Sequence, residues 1–451
     1  MAVFGNDPWW IVAIKVVAVF VFLLVLTIFN VWYERRVVGK MQHRKGPIMN
    51  GPLGLGQALG DGAKLILKED FRPAGTDKWV FNLAPVLTGV AAFSAWAVIP
   101  FGGEVEILGV RTRLQLTDLP VAVLFVMAIA SIGIYGIVLA GWASSSTYSL
   151  LGGIRSTAQM ISYEIAMGLA LVAVFLQAGT MSTSRIVEAQ TQPIIPAINF
   201  PGWYGLLLIP SFIIYVIAMV AECNRAPFDL VECEQELVSG FLTDYSGFRY
   251  ATYFLAEYIN MATVSAVATT LFLGGYHAPW PLNLIPGIDS GWLGPIWFLA
   301  KVLMFMFLFV WLRGTLPRLR YDQLMDLGWK WLIPISLAWI VAIGTVNVLR
   351  GSVNILVLLG VIALMAVIAV AILSRVLKDG DDSSIHPNSD DDKSRVPEFA
   401  TGEFNAFAGG YPVPPMPGQL LPELAGVVRG GRAGSEPTAR DEASATSTKE
   451  A

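Results

Sequence analysis

Apolar runs recur along this chain at about 10–32, 79–100, 119–142, 157–178, 203–222, 251–274, 293–313, 331–348 and 353–374. A helix needs roughly 20 apolar residues to cross about 30 Å of hydrocarbon. The pattern therefore predicts an all-α, polytopic membrane protein with about nine transmembrane helices. The first run is too long for a cleavable signal peptide, lacks a basic leading region and carries Lys15. Lys15 is expected to snorkel to the nearer interface. The chain shows no convincing internal repeat.

The pattern changes near residue 379. Beyond it lie Asp-rich stretches (Asp381, Asp382; Asp390 to Asp392), a Pro run (Tyr411 to Pro417) and a Gly/Arg stretch (Arg429 to Gly434). This segment has too little apolar content to pack, so residues 379–451 are expected to be a disordered tail. Residues 1–378 are then one membrane domain, with polar loops at 33–78, 143–156, 223–250 and 314–330.

Within the first loop, Leu55 to Glu69 reads as an amphipathic helix. Leu55, Leu59, Gly62 and Leu65/Ile66 share one face. Asp61, Lys64 and Lys68 share the other, with Asp61 able to pair with Lys64. Such a helix lies in the membrane interface, as an anchor or as a portal for a lipid-like molecule. Loop 33–78 carries nine Lys+Arg. The positive-inside rule places it and the tail in the cytoplasm and the N-terminus outside.

Composition agrees with lipid as the solvent: 55% of the residues are hydrophobic and 14% charged, against about 25% charged in soluble domains. A soluble enzyme, a disulfide scaffold and a disordered chain are excluded. The formal net charge is −4, but it is unevenly placed. The tail holds 13 acidic and 6 basic residues (−7), leaving 21 acidic and 24 basic (+3) for the rest. Two cysteines, Cys223 and Cys233, cannot ligate a four-thiolate cluster alone. They read as reduced thiols. No histidine lies in an apolar run, and no metal, P-loop or dinucleotide motif is present. Any redox or nucleotide chemistry belongs to partner chains.

Scarce charges inside apolar runs need a reason, because each costs about 2.5–3.5 kcal/mol at a helix centre. Glu164, Glu222, Glu257, Lys301 and Arg313 are such residues. Glu164 falls seven residues into the fourth span and Glu257 six into the sixth. Lys301 falls about 18 Å deeper than Arg313 on the seventh. All but Lys301 map to the cytoplasmic half, as a polar cavity or ion path would require. Carboxylates grouped out of water raise one another's affinity for protons and titrate together. Loop 223–250 adds Asp229, Glu232 and Glu236 at one-face helical spacing, and Glu234 off that face. Its apolar residues, Phe228 among them, predict that it folds back on the membrane body.

Five stretches, ERRVVGKMQHRKGP, GLGQALGDGAKLILKED, GIRSTAQMISYEI, AECNRAPFDLVECEQELVSGF and RGTLPRLRYDQLM, occur in this order. They resemble the quinone-site membrane subunit family of NADH–quinone oxidoreductase, respiratory complex I. The resemblance spans about residues 10–375. It implies a subunit of a proton-translocating enzyme in the bacterial inner membrane that forms most of a quinone tunnel. Quinone is the substrate, and NADH, FMN and iron–sulfur clusters sit on partner subunits. The implied partners are the hydrophilic arm with the terminal cluster, antiporter-like and small membrane subunits, and lipid, with no nucleic acid.

By motif, Arg35, Arg36, Asp61, Lys64 and Phe228 would line or shape the tunnel. Glu164, Glu222, Glu232, Glu234, Asp244 and Glu257 would form an acidic funnel joining quinone chemistry to proton movement. Asp229, Glu236 and Lys301 join that group as proton-coupling candidates. Arg313, Arg318, Arg320 and Asp322 would hold the seventh loop at the arm junction. Asp244 and Cys233 depart from the family's usual Glu and Gly. A homologous subunit of a membrane-bound hydrogenase or formate-hydrogen lyase complex, and a stand-alone ion carrier, remain as alternative readings.

Overall fold

The computed structural model describes residues 7–195, 200–229, 238–284, 288 and 291–349. The expected ninth span, the tail, Cys233, Glu232, Glu234 and Glu236 lie outside the described residues. The chain is predominantly helical, in line with the apolar pattern. In order come α1 (Trp9–Met41), α2 (Gly56–Leu67), α3 (Lys78–Ser94), α4 (Ala122–Ala143), α5 (Thr147–Ala178) and α6 (Thr183–Ala189). They are followed by α7 (Tyr204–Leu207), α8 (Ile209–Glu222), α9 (Gly247–Phe272), α10 (Gly294–Thr315), α11 (Tyr321–Asp326) and α12 (Ile333–Leu349). Two short antiparallel hairpins add β1 (Glu104–Ile107) to β2 (Val110–Arg113), and β3 (Pro193–Ile195) to β4 (Phe200–Pro201).

Among the described residues, 6 helical stretches are long and apolar enough to cross a membrane. They contain α1, α3, α4, α5, α10 and the run from Tyr321 to Val348. Two further expected spans are occupied by the 14-residue α8 and the 26-residue α9. α9 is less apolar because it faces protein rather than lipid. Every residue from Met261 to Phe272 is buried. Its hydroxyls are satisfied locally: Thr263 donates to the Ile259 carbonyl at 2.8 Å, Ser265 to Met261 at 2.7 Å and Thr269 to Ser265 at 2.9 Å. Such back-bonding lets a polar helix sit in a dry core. α9 packs against α1, α2, α3, α8 and α10, so it is the axis of the bundle. Exposed Trp79, Trp142 and Tyr148 near one set of helix ends, and Trp9, Trp280 and Trp292 near the other, fit aromatic belts at two interfaces.

Several boundaries differ from the sequence reading. α5 begins at Thr147, so the expected loop 143–156 shrinks to a short turn and Glu164 lies well inside the helix. Its first turns carry small residues, which read as a loop but serve close packing. A Cβ on Gly152 would sit 2.5 Å from the Gly240 Cα, and one on Gly141 would sit 3.2 Å from the Gly153 Cα. Backbone on both sides of the first contact cannot yield cheaply. Gly152→Ala is expected to cost about 1–3 kcal/mol by overpacking. Reduced abundance of the protein in membranes and a lower melting temperature check this.

The Lys15 expectation is overturned. Its side chain is buried; it donates to Asp7 at 2.7 Å and to the Thr112 hydroxyl at 2.6 Å. Burial pushes the Asp7 carboxyl up, but the Lys15 and Thr112 hydrogen bonds and the Lys15 charge outweigh it and hold it below its ordinary value. An ammonium with these partners needs no route to the headgroups.

Candidate functional site

The C-terminal end of α1 carries Glu34 into the bundle. Glu34 is buried and bonds three groups from distant elements. Arg313 at the end of α10 donates to it. Tyr258 of α9 donates its hydroxyl at 2.6 Å, and the Arg225 guanidinium lies 3.5 Å away. Arg225 also pairs with Glu257 at 2.8 Å and stacks on the Tyr258 ring at 4.6 Å. Arg225, only 5% exposed, is held in the turn after α8. A buried arginine between two carboxylates and an aromatic face is a matched arrangement, since each charge would be costly alone.

Two adjoining cavities of about 60 and 50 Å³ open beside this network. Each is roomy enough for a few waters, at roughly 10–15 Å³ apiece. They share Thr88, Ile137, Met160, Glu222, Cys223 and Asn260. The first also reaches Asp229 and Glu257. Three of the expected proton-coupling acids, Glu222, Asp229 and Glu257, thus meet around one water-sized space. Glu222 is buried, and one of its carboxylate oxygens has no hydrogen-bond partner among the described residues. Glu164 lies half-buried on α5 and accepts from Ser131 of α4. Cys223 is a buried free thiol.

Other candidates fall elsewhere. Asp244 accepts from Ser149 at 3.2 Å, so the shorter carboxylate still reaches α5. Its neighbour Tyr245 stacks on Phe81 at 4.1 Å. Burial pushes the Tyr245 phenol up to about 12, so it stays protonated at neutral pH. Lys301 donates to the carbonyls of Leu273, Gly275 and His277 at 2.6, 2.9 and 2.7 Å. That caps the far end of α9, where a cation complements the helix dipole. Neither cavity is lined by Lys301.

Arg35 pairs with Asp61 at 2.5 Å, which replaces the expected Lys64 partner. Gln57 also donates to Asp61, at 3.0 Å. Arg36 donates to the Leu53 carbonyl at 3.0 Å and lies over Trp32. Lys64 is exposed. α2 presents Leu59, Ile66 and Leu67 outward, 60%, 63% and 85% exposed, while Ala58 is buried. Phe228 is buried against Tyr163, with ring centroids 5.7 Å apart. Gln159 holds the same turn by donating to the Ala221 and Phe228 carbonyls. Arg318 and Arg320 lie on the turn into α11 and Asp322 in its first turn, all three at the surface.

The profile of a family described as NADH dehydrogenase matches residues 14–344. The H subunit of NADH-quinone oxidoreductase from Cutibacterium acnes is 57% identical over 431 residues, covering 93% of this chain and 94% of that one. The counterpart of the same name from Streptomyces avermitilis is 50% identical over 434 residues, covering 94% and 91%. This chain belongs to the family of NADH–quinone oxidoreductase H subunits. It is a multi-pass membrane member of it.

Sequence reasoning about this family member missed Glu34, Arg225 and Tyr258 as site residues. The first two stand inside the family stretches ERRVVGK and AECNRAPFDL. Their signal was present, because a charge at the end of an apolar run needs a partner. The identity of that partner was not. Arg313, expected at an arm junction, donates to Glu34.

Proposed function

We propose that the chain is the quinone-binding membrane subunit of a proton-translocating NADH–quinone oxidoreductase. The observation that carries this reading is the water-sized space lined by Glu222, Asp229 and Glu257 next to the Glu34–Arg225 network. NADH, FMN and the iron–sulfur clusters belong to partner subunits of a hydrophilic arm, and antiporter-like subunits complete the membrane arm. The cytoplasmic orientation of loop 33–78 follows from its basic residues.

In this reading the outward apolar face of α2 meets lipid and guides an isoprenoid tail. The Arg35–Asp61 pair stands at the junction of α1 and α2 and meets the polar part of the quinone. Reduction of a quinone to a quinol takes up protons with the electrons, so charge near the site changes. Glu222, Asp229 and Glu257 share a low-dielectric space, so a charge step at one shifts the others. The Arg225 guanidinium connects that space to Glu34. Redistribution of protons in this group is the signal passed to the pumping subunits.

Arg35 and Asp61 have side chains 48% and 34% exposed, so their pairing contributes at most about 1 kcal/mol to stability. Asp61→Asn is expected to leave assembly intact and raise the quinone KM on the order of tenfold, one lost charge-assisted contact. Steady-state titration with a short-chain quinone checks it. The identity of the complex is tested by isolating the chain from its own membranes. Flavin and iron–sulfur absorbance and inhibitor-sensitive, quinone-dependent NADH oxidation should accompany it. Recovery of the chain without them would contradict the reading.

A further inference from the structure

Asn30 lies one turn before Glu34 on α1 and is 2% exposed. Neither its amide nitrogen nor its carbonyl oxygen has a hydrogen-bond partner among the described residues. An asparagine amide offers two donors and an acceptor, and a buried one without partners costs about 1–3 kcal/mol per group. The two helices packed on this face offer no polar side chain at that depth. Four residues deeper than Tyr258 and Arg313, α9 and α10 carry Ala262 and Phe309, both buried and without polar side-chain atoms. α1 packs against these two helices.

The polar groups nearest along the packing direction belong to the Glu34 layer. Residues four apart on a helix share a face, with Cβ atoms about 5–6 Å apart. Arg225, 3.5 Å from Glu34, has a second unmatched group: its Nη2 donor is buried without a partner. An unmatched acceptor and an unmatched donor thus flank one carboxylate. A single water is the smallest species that satisfies both.

We infer that Asn30 holds an ordered water against Glu34 and Arg225 and is a positioning residue for the buried ion network. The water gives Glu34 a solvation partner on its membrane-facing side. It also extends the polar path one helical turn deeper than the charged residues themselves reach. Asn30 does not meet substrate; it acts through Glu34. Its effect on coupling rests on the proposed function above, whereas the presence of the water does not.

The test uses the intact complex. A cryo-EM map that resolves waters elsewhere in the chain should show a peak within hydrogen-bond distance of Asn30 and of Arg225 Nη2. The peak should vanish in Asn30→Leu and return in Asn30→Ser, whose hydroxyl can still hold it. Asn30→Leu should lower the protons pumped per electron while NADH oxidation by an artificial acceptor stays unchanged, and Asn30→Ser should recover part of the loss. The loss is on the order of tenfold in proton transfer, the effect of one hydrogen bond to a charged group. If the wild-type site is empty, or the peak persists in Asn30→Leu, the amide is simply unmatched and the inference fails. Absence of coupling defects with the water present would instead leave the site standing and count against the relay.

Discussion

Replacing Arg225 with methionine is expected to remove the protein from the membrane rather than merely slow it. The guanidinium sits between Glu34 at 3.5 Å and Glu257 at 2.8 Å. Its loss leaves two carboxylates facing one another in a site that is mostly out of water. Breaking one partner out of a buried pair costs about 3–5 kcal/mol, a large share of the roughly 5–15 kcal/mol that holds a typical domain. Arg313 cannot compensate fully, because its side chain is 40% exposed and is already engaged with Glu34. The stacking of Arg225 on Tyr258 is lost as well. Immunoblots of membranes and native gels should show little assembled complex. Adding Glu257→Gln to Arg225→Met removes one of the two facing carboxylate charges and should restore part of the abundance. Equal abundance of the single and double variants would show that the network does not carry this stability.

Glu222→Gln is expected to do the opposite: normal assembly with coupled turnover reduced by tenfold or more. Glutamine matches the shape of glutamate, and Glu222 has a carboxylate oxygen with no partner to lose. Removing an ionisable group from a buried site relieves a desolvation cost, so stability should hold or rise slightly. Proton transfer through a positioned side chain contributes typically about 10²–10⁴-fold, and glutamine cannot carry a proton. Glu257→Gln is a less clean variant, because Glu257 also balances Arg225. It should lose both abundance and turnover. Glu164→Gln should resemble Glu222→Gln, with the Ser131 hydrogen bond retained by the amide oxygen.

These contrasts rest on distinctions that the amino-acid order carries only in part. Apolar length places most spans correctly, because crossing hydrocarbon imposes a minimum run whatever the neighbours are. The acidic candidates are visible for the same reason: Glu222 and Glu257 stand out against apolar surroundings. Pairing is another matter. Arg225 meets Glu34 from almost two hundred residues along the chain, and nothing local marks that meeting. The interface expectation for Lys15 fails because its partner Thr112 lies 97 residues away, on a hairpin with only four residues per strand. Gly152 and Gly153 read as loop residues, yet they let α5 approach Gly240 and Gly141. Asp61 has Lys64 at helical spacing but pairs with Arg35, which α1 delivers beside it. In each case tertiary proximity overrides a sound local rule.

The acids around the cavity are proposed to link quinone reduction to proton movement. The most direct test is the ratio of protons pumped to electrons transferred in sealed inverted vesicles containing the Glu222→Gln complex. The NADH rate with an artificial acceptor serves as the internal reference. The expected result is an assembled complex whose reference rate is normal and whose quinone-coupled pumping is reduced by tenfold or more. An unchanged ratio at an unchanged quinone-reductase rate would contradict it.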